Sequence, residues 1–169
     1  MKNKGSSTIS LLKSFSYALK GLWFCISNER NFRIHSVIAV YVFVFSSFYN
    51  FNAGEYALLF IAVSTVLISE MFNTAVECVI DYLMPCRNKF AAMAKDISAG
   101  AVFICAVMSV VSGLYLFLRI DIIKNIIKYF TNNIFMLVLF IISIILAVLF
   151  IFVIKLKEPK FYKDMDDAV

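Results

Sequence analysis

Residues 56–84 read YALLFIAVSTVLISEMFNTAVECVIDYLM. The run is apolar enough and long enough to cross a bilayer, which takes about 20 residues, yet it carries Glu70, Glu77 and Asp81. A helix rises 1.5 Å per residue, so Glu70 lies about 21 Å from Tyr56, some two-thirds of the way across a hydrocarbon core about 30 Å thick. Glu77 then falls near the far headgroup level. At 100° per residue, Glu70, Asn73, Thr74, Glu77 and Asp81 share one narrow stripe. Such a stripe must face protein or a wet cleft. Ionisable groups inside a span are costly and point to function. The plainer reading is polar glue between helices, and three carboxylates in register weigh against it.

Working outward, three further stretches lack charge over a spanning length: Ser36–Gly54, Ile97–Leu118 and Tyr129–Ile154. The chain has 169 residues, 62% hydrophobic and 16% charged, with a mean hydropathy of +0.88. A soluble globule of this length has too little interior to hide so much apolar surface, and disordered chains are poor in apolar residues. The composition therefore predicts an all-α integral membrane protein with four transmembrane helices. Residues 1–35 form a cytoplasmic N-terminus, 119–133 an extracytoplasmic loop, 134–154 the last span and 155–169 a cytoplasmic tail. The net charge of +5 is topological rather than a nucleic-acid footprint, because Lys and Arg sit between apolar runs instead of along one face. Of the 16 basic residues only Arg119, Lys124 and Lys128 fall in the outward loop, which places both termini in the cytoplasm. Leu11, Leu12, Phe15, Leu19, Leu22, Trp23 and Ile26 recur at helical spacing opposite Ser10, Lys13, Ser14 and Lys20. That pattern predicts an amphipathic helix lying in the interface.

Spacing limits what the carboxylates do. Glu70 and Glu77 are about 10 Å apart along the axis, so they cannot chelate one ion. A base at one end and a metal ligand at the other fits that distance. Mg²⁺ takes one or two protein carboxylates and fills its other positions with water and substrate phosphates. Glu29, between the interfacial helix and the first span, is available as a partner to Glu77, but it is equally placed for a salt bridge to Arg33, four residues on. In the segment from Arg87 to Asp96, Lys95 suits phosphate as a point charge and Asp96 suits the N-cap of the third span. Cys25, Cys78, Cys86 and Cys105 lack zinc spacing and read as structural thiols. No phosphate-cradling glycine loop can be built from the five glycines, so any nucleotide chemistry uses another design.

Several blocks resemble a known family. Glu70-Met71-Phe72-Asn73-Thr74-Ala75-Val76-Glu77 resembles the E-x-x-N-[ST]-A-[IV]-E signature of the prokaryotic diacylglycerol kinases, and Ala94–Val102 resembles their A-K-D-x-x-A-G-A-V segment. Asn28–His35 and Tyr17–Gly21 resemble the N-E-x-x-F-R and Y-x-x-K-G blocks, in the family's order, over about residues 11–118. The look is closest to the undecaprenol kinase branch. The resemblance implies a homotrimer whose subunits have a surface helix and a three-span core, here 36–118. It implies transfer of the γ-phosphate of ATP, with Mg²⁺, to the hydroxyl of a membrane lipid alcohol (undecaprenol or diacylglycerol) at the cytoplasmic face of the bacterial cell membrane, in active sites shared between chains. Glu70 takes the place of the general base, with Asn73 beside it toward the lipid. Glu29 and Glu77 take the place of the metal-holding carboxylates. Tyr17, Arg87, Asn88, Lys95 and Asp96 fall at or near the nucleotide positions. Ser10 stands where some members carry Arg, and the last span has no counterpart in the minimal pattern. A non-enzymatic ion or proton carrier built on Glu70, Glu77 and Asp81, and an inactive paralogue, are the competing readings.

Overall fold

The computed structural model describes residues 4–84 and 88–153, with side chains from residue 11 onward. Among them are six helices and no strand: α1 (Lys4–Asn28), α2 (Arg30–Ser46), α3 (Ala53–Leu83), α4 (Lys89–Phe117), α5 (Ile120–Asn132) and α6 (Ile134–Phe152). Three of these, α3, α4 and α6, are long and apolar enough to cross a membrane.

The first expected span differs from Ser36–Gly54. The helix there begins earlier, at Arg30, and stops at Ser46, giving 17 residues, or about 25 Å. Two local features set these limits. Glu29 is extended (φ −98°, ψ 112°) and breaks α1 from α2. At the other end, Asn52 accepts from the Glu55 backbone N–H at 3.0 Å while Glu55 Oε2 accepts from the Asn52 N–H at 2.8 Å. This capping box starts α3, so Phe48–Asn52 serves the turn rather than the span.

Asp96 does not cap the third span. Asn88 caps α4 instead, its Oδ1 accepting from the Phe90 N–H at 2.8 Å, and Asp96 lies two turns inside the helix. The expected loop 119–133 is largely helical: α5 sets Ile122, Ile123, Ile126 and Ile127 against Asp121, Lys124, Asn125 and Lys128. The chain breaks at Asn133, so Tyr129–Asn132 belong to α5 rather than to the last span. The tail 155–169 lies outside the described residues.

The molecule is built on the α3–α4 hairpin, with α2 against α3, and α6 against α2. At the Glu55 end, Tyr49, Phe51, Leu59 and Leu116 are buried together, with Ile122 and Ile126 of α5 packed onto them. Tyr49 donates to the Phe117 carbonyl at 3.0 Å, and Arg119 forms an ion pair with Glu55. On the α2–α6 seam the hydroxyls of Tyr41 and Ser143 hydrogen-bond at 3.0 Å, beside an edge contact of Phe45 on Phe140. Polarity is inverted relative to a water-soluble bundle: Glu70 and Thr74 are buried while Phe60, Phe72 and Phe103 are exposed.

Candidate functional site

The site grows from the polar stripe of α3. Glu70 is 3% exposed and Thr74 is buried beside it. The Thr74 hydroxyl donates to the Glu70 backbone carbonyl at 3.0 Å, a bond that leaves the Glu70 carboxylate free of it. Asn73 donates through Nδ2 to Glu77 Oε1 at 2.8 Å, and its own Oδ1 accepts from the Ser98 hydroxyl of α4 at 2.6 Å. One turn on, Lys95 Nζ donates to Asp81 Oδ1 at 2.5 Å. Asn73–Ser98 and Asp81–Lys95 thus join α3 to α4 on the stripe side, and they hold Glu77 and Lys95 on one wall.

The opposite wall comes from the α1–α2 junction. Cys25 is buried at the end of α1, where burial and then the nearby Glu29 charge push its thiol pKa up. Glu29, held by the extended break, is driven above the ordinary carboxyl value of 4.5: first by burial, then by repulsion from Glu77 and from Glu70, with the Arg33 charge opposing. Repulsion of that kind requires the three carboxylates to share one neighbourhood. The fold therefore brings Glu29 near Glu70 and Glu77, which lie 41 and 48 residues further along the chain.

The structure does not bring every expected residue to this cluster. Tyr17 is 58% exposed on α1, about 18 Å along the helix axis from Glu29, with the Lys20 ammonium 5.5 Å from its ring centre. Asn88 is engaged as the α4 cap, and Asp96 is exposed. Arg87 lies outside the described residues. Three partners were missed from sequence. His35 places Nε2 3.4 Å from Glu70 Oε1; the only sign of it was a lone histidine six residues after Glu29. Ser98 tethers Asn73, and its signal was helical spacing of three from Lys95. Asp81 was in the stripe, but its pairing with Lys95 depends on the α3–α4 register.

An apolar cleft of about 210 Å³ adjoins the cluster, lined from His35 through Ala39, Leu59, Val66 and Gly113 to Phe117. Val66 stands four residues before Glu70 on the same face of α3, so the cleft leads toward the buried carboxylate. Among the described residues no three His, Cys, Asp or Glu side chains converge to hold a metal by themselves.

Comparison with known proteins matches the sequence to a family. The sequence model described as prokaryotic diacylglycerol kinase matches residues 16–117, from α1 to the end of α4. A diacylglycerol kinase of Synechocystis is 36% identical over 113 residues, covering 66% of this chain and 65% of that protein. An undecaprenol kinase of Bacillus subtilis is 34% identical over 106 residues, 63% of this chain and 86% of the relative. A diacylglycerol kinase of Escherichia coli is 29% identical over 112 residues, 66% and 92%. Helices α5 and α6 lie beyond the matched region. The chain belongs to the prokaryotic diacylglycerol kinase family.

Proposed function

We propose that this protein is an ATP-dependent lipid kinase that phosphorylates the hydroxyl of a membrane lipid alcohol, with Glu70 as general base. The observation that carries the reading is the meeting of a buried intramembrane carboxylate, Glu70, with the paired carboxylates Glu29 and Glu77 at one end of an apolar cleft. A lipid hydroxyl lies at headgroup level, and a base set slightly deeper reaches it while the hydrocarbon body stays in an apolar setting. Glu70 accepts the hydroxyl proton as the oxygen attacks. Glu77 is too far along the axis to substitute for it, at about 10 Å.

Glu29 and Glu77 would hold Mg²⁺, which when bound neutralises charge on the ATP phosphates. The chain's contribution is to prepare that pair: Asn73, fixed by Ser98, orients one oxygen of Glu77, and repulsion from Glu77 and Glu70 leaves Glu29 short of a cation. Lys95, held on the same wall by Asp81, supplies a point charge for phosphate. Tyr17, Arg87, Asn88 and Asp96 complete the nucleotide side in this reading. The exposed Tyr17 is reached most simply in a homotrimer, where one subunit's surface helix lies against its neighbour's carboxylates.

In this reading α2, α3, α4 and α6 cross the bacterial cell membrane with both termini in the cytoplasm, a topology that the distribution of basic residues supports. The acceptor class is a lipid with one primary hydroxyl, undecaprenol or diacylglycerol. The test is phosphoryl transfer by purified protein in mixed micelles containing labelled ATP, Mg²⁺ and either lipid. Label in lipid, abolished by chelation of the metal, supports the reading. Unlabelled lipid with ATP-independent cation flux in vesicles supports the carrier instead.

A further inference from the structure

A buried base that takes a proton each turnover must lose it before the next. The Glu70 side chain is 4% exposed, and the polar groups nearest it on α3 are committed elsewhere. Thr74 donates to the Glu70 backbone, Asn73 to Glu77, and Ser69 to the Val66 carbonyl. From α2, His35 reaches in: its Nε2 is 3.4 Å from Glu70 Oε1, while 25% of its side chain is exposed. It is the single histidine in the sequence. The separation exceeds a tight catalytic hydrogen bond by a few tenths of an ångström, slack that substrate binding commonly takes up.

We propose that His35 is the proton relay between buried Glu70 and water, an inference that rests on Glu70 being the base of the reaction above. The lipid oxygen bonds to the γ-phosphorus, the bond from that phosphorus to the β,γ-bridging oxygen breaks, and the hydroxyl proton moves to the Glu70 carboxylate. Glu70 then passes the proton to the Nε2 lone pair of neutral His35. The resulting imidazolium gives a proton to water, which restores both groups. One proton leaves per phosphate transferred, and no further reactant is needed. Imidazole suits the task because it is the side chain whose ordinary proton affinity is matched to neutral pH.

The test compares His35→Ala, His35→Gln and Glu70→Gln in the full-length protein, using the micelle assay with ATP binding measured in parallel. His35→Ala is expected to lower kcat about tenfold or more, to leave both KM values within about twofold, and to regain turnover when imidazole is added. His35→Gln hydrogen-bonds but relays no proton, so its kcat stays low and imidazole does not raise it. The relay is overturned if His35→Gln turns over like the parent, as a purely positioning contact would allow. It is equally overturned if His35→Ala binds ATP yet gains nothing from imidazole. Loss of activity in Glu70→Gln with parental His35 variants removes only the relay. Parental activity in Glu70→Gln removes the base reading itself.

Discussion

Replacing Glu29 with Gln is expected to make the protein more stable and less active at once. In the fold, burial and then the charges of Glu77 and Glu70 hold the Glu29 carboxyl above its ordinary 4.5. A carboxyl raised in the folded state favours folding below its unfolded pKa, and that contribution is lost as pH rises through the folded value. At neutral pH without metal, ionised Glu29 therefore destabilises the protein, and Gln removes the penalty. Glu29 is partly solvated, so screening limits the gain to about 1 kcal/mol, a rise of about 2–4 °C in the unfolding midpoint for a chain of this size. The advantage should shrink as pH is lowered through the raised pKa toward 4.5. Mg²⁺ should reverse the order, because a ligand at 100 times its Kd stabilises by about 2.7 kcal/mol only the protein that binds it. The assay is thermal unfolding in detergent, with and without Mg²⁺ and a non-hydrolysable ATP analogue, at several pH values. A Glu29→Gln protein that melts below the parent at neutral pH without metal, or that gains as much from Mg²⁺ as the parent does, would exclude this role for Glu29.

Leu116, fully buried among Tyr49, Phe51 and Leu59, lies at the end away from the chemistry. Leu116→Ala should cost about 2–3 kcal/mol, the lower part of the range for core cavities, because lipid rather than water receives the exposed surface; thermal unfolding in detergent measures it. Tyr41→Phe breaks the hydroxyl pair with Ser143 on the α2–α6 seam and should cost about 0.6 kcal/mol, measured by unfolding, without affecting kcat. Asn73→Ala frees both Glu77 and Ser98. It should raise the Mg²⁺ concentration for half-maximal activity by about 10- to 100-fold, as loss of partners that orient metal ligands does, while total protein and melting behaviour change little.

Helix content, the α3 stripe and the neighbourhood of Glu29 with Glu77 were legible because each rests on local periodicity or on depth along a helix of known rise. The limits of α2 were not. Hydropathy runs on unbroken through Phe48–Phe51, and only the Asn52–Glu55 capping box, with the aromatic cluster behind it, shows why the helix stops short. The helix α5 was missed because its charges, read as loop charges, lie on one face of a short amphipathic segment. His35 and Ser98 escaped for a different reason. Their partners lie 35 and 25 residues away on other helices, and which face meets which is decided by packing of α2 and α4 on α3, a property no single segment carries. Tyr17 is held away from Glu29 within one subunit by the rise of α1 itself, 12 residues or about 18 Å.

Whether Glu70 removes the proton from a lipid hydroxyl is read from the single-turnover rate of phosphate transfer to lipid by Glu70→Gln against the parent, at saturating ATP and Mg²⁺. Gln keeps the shape and burial of Glu70 but accepts no proton. The account predicts a fall of about 10²- to 10⁴-fold with ATP affinity preserved; a variant that transfers phosphate at the parental rate would contradict it.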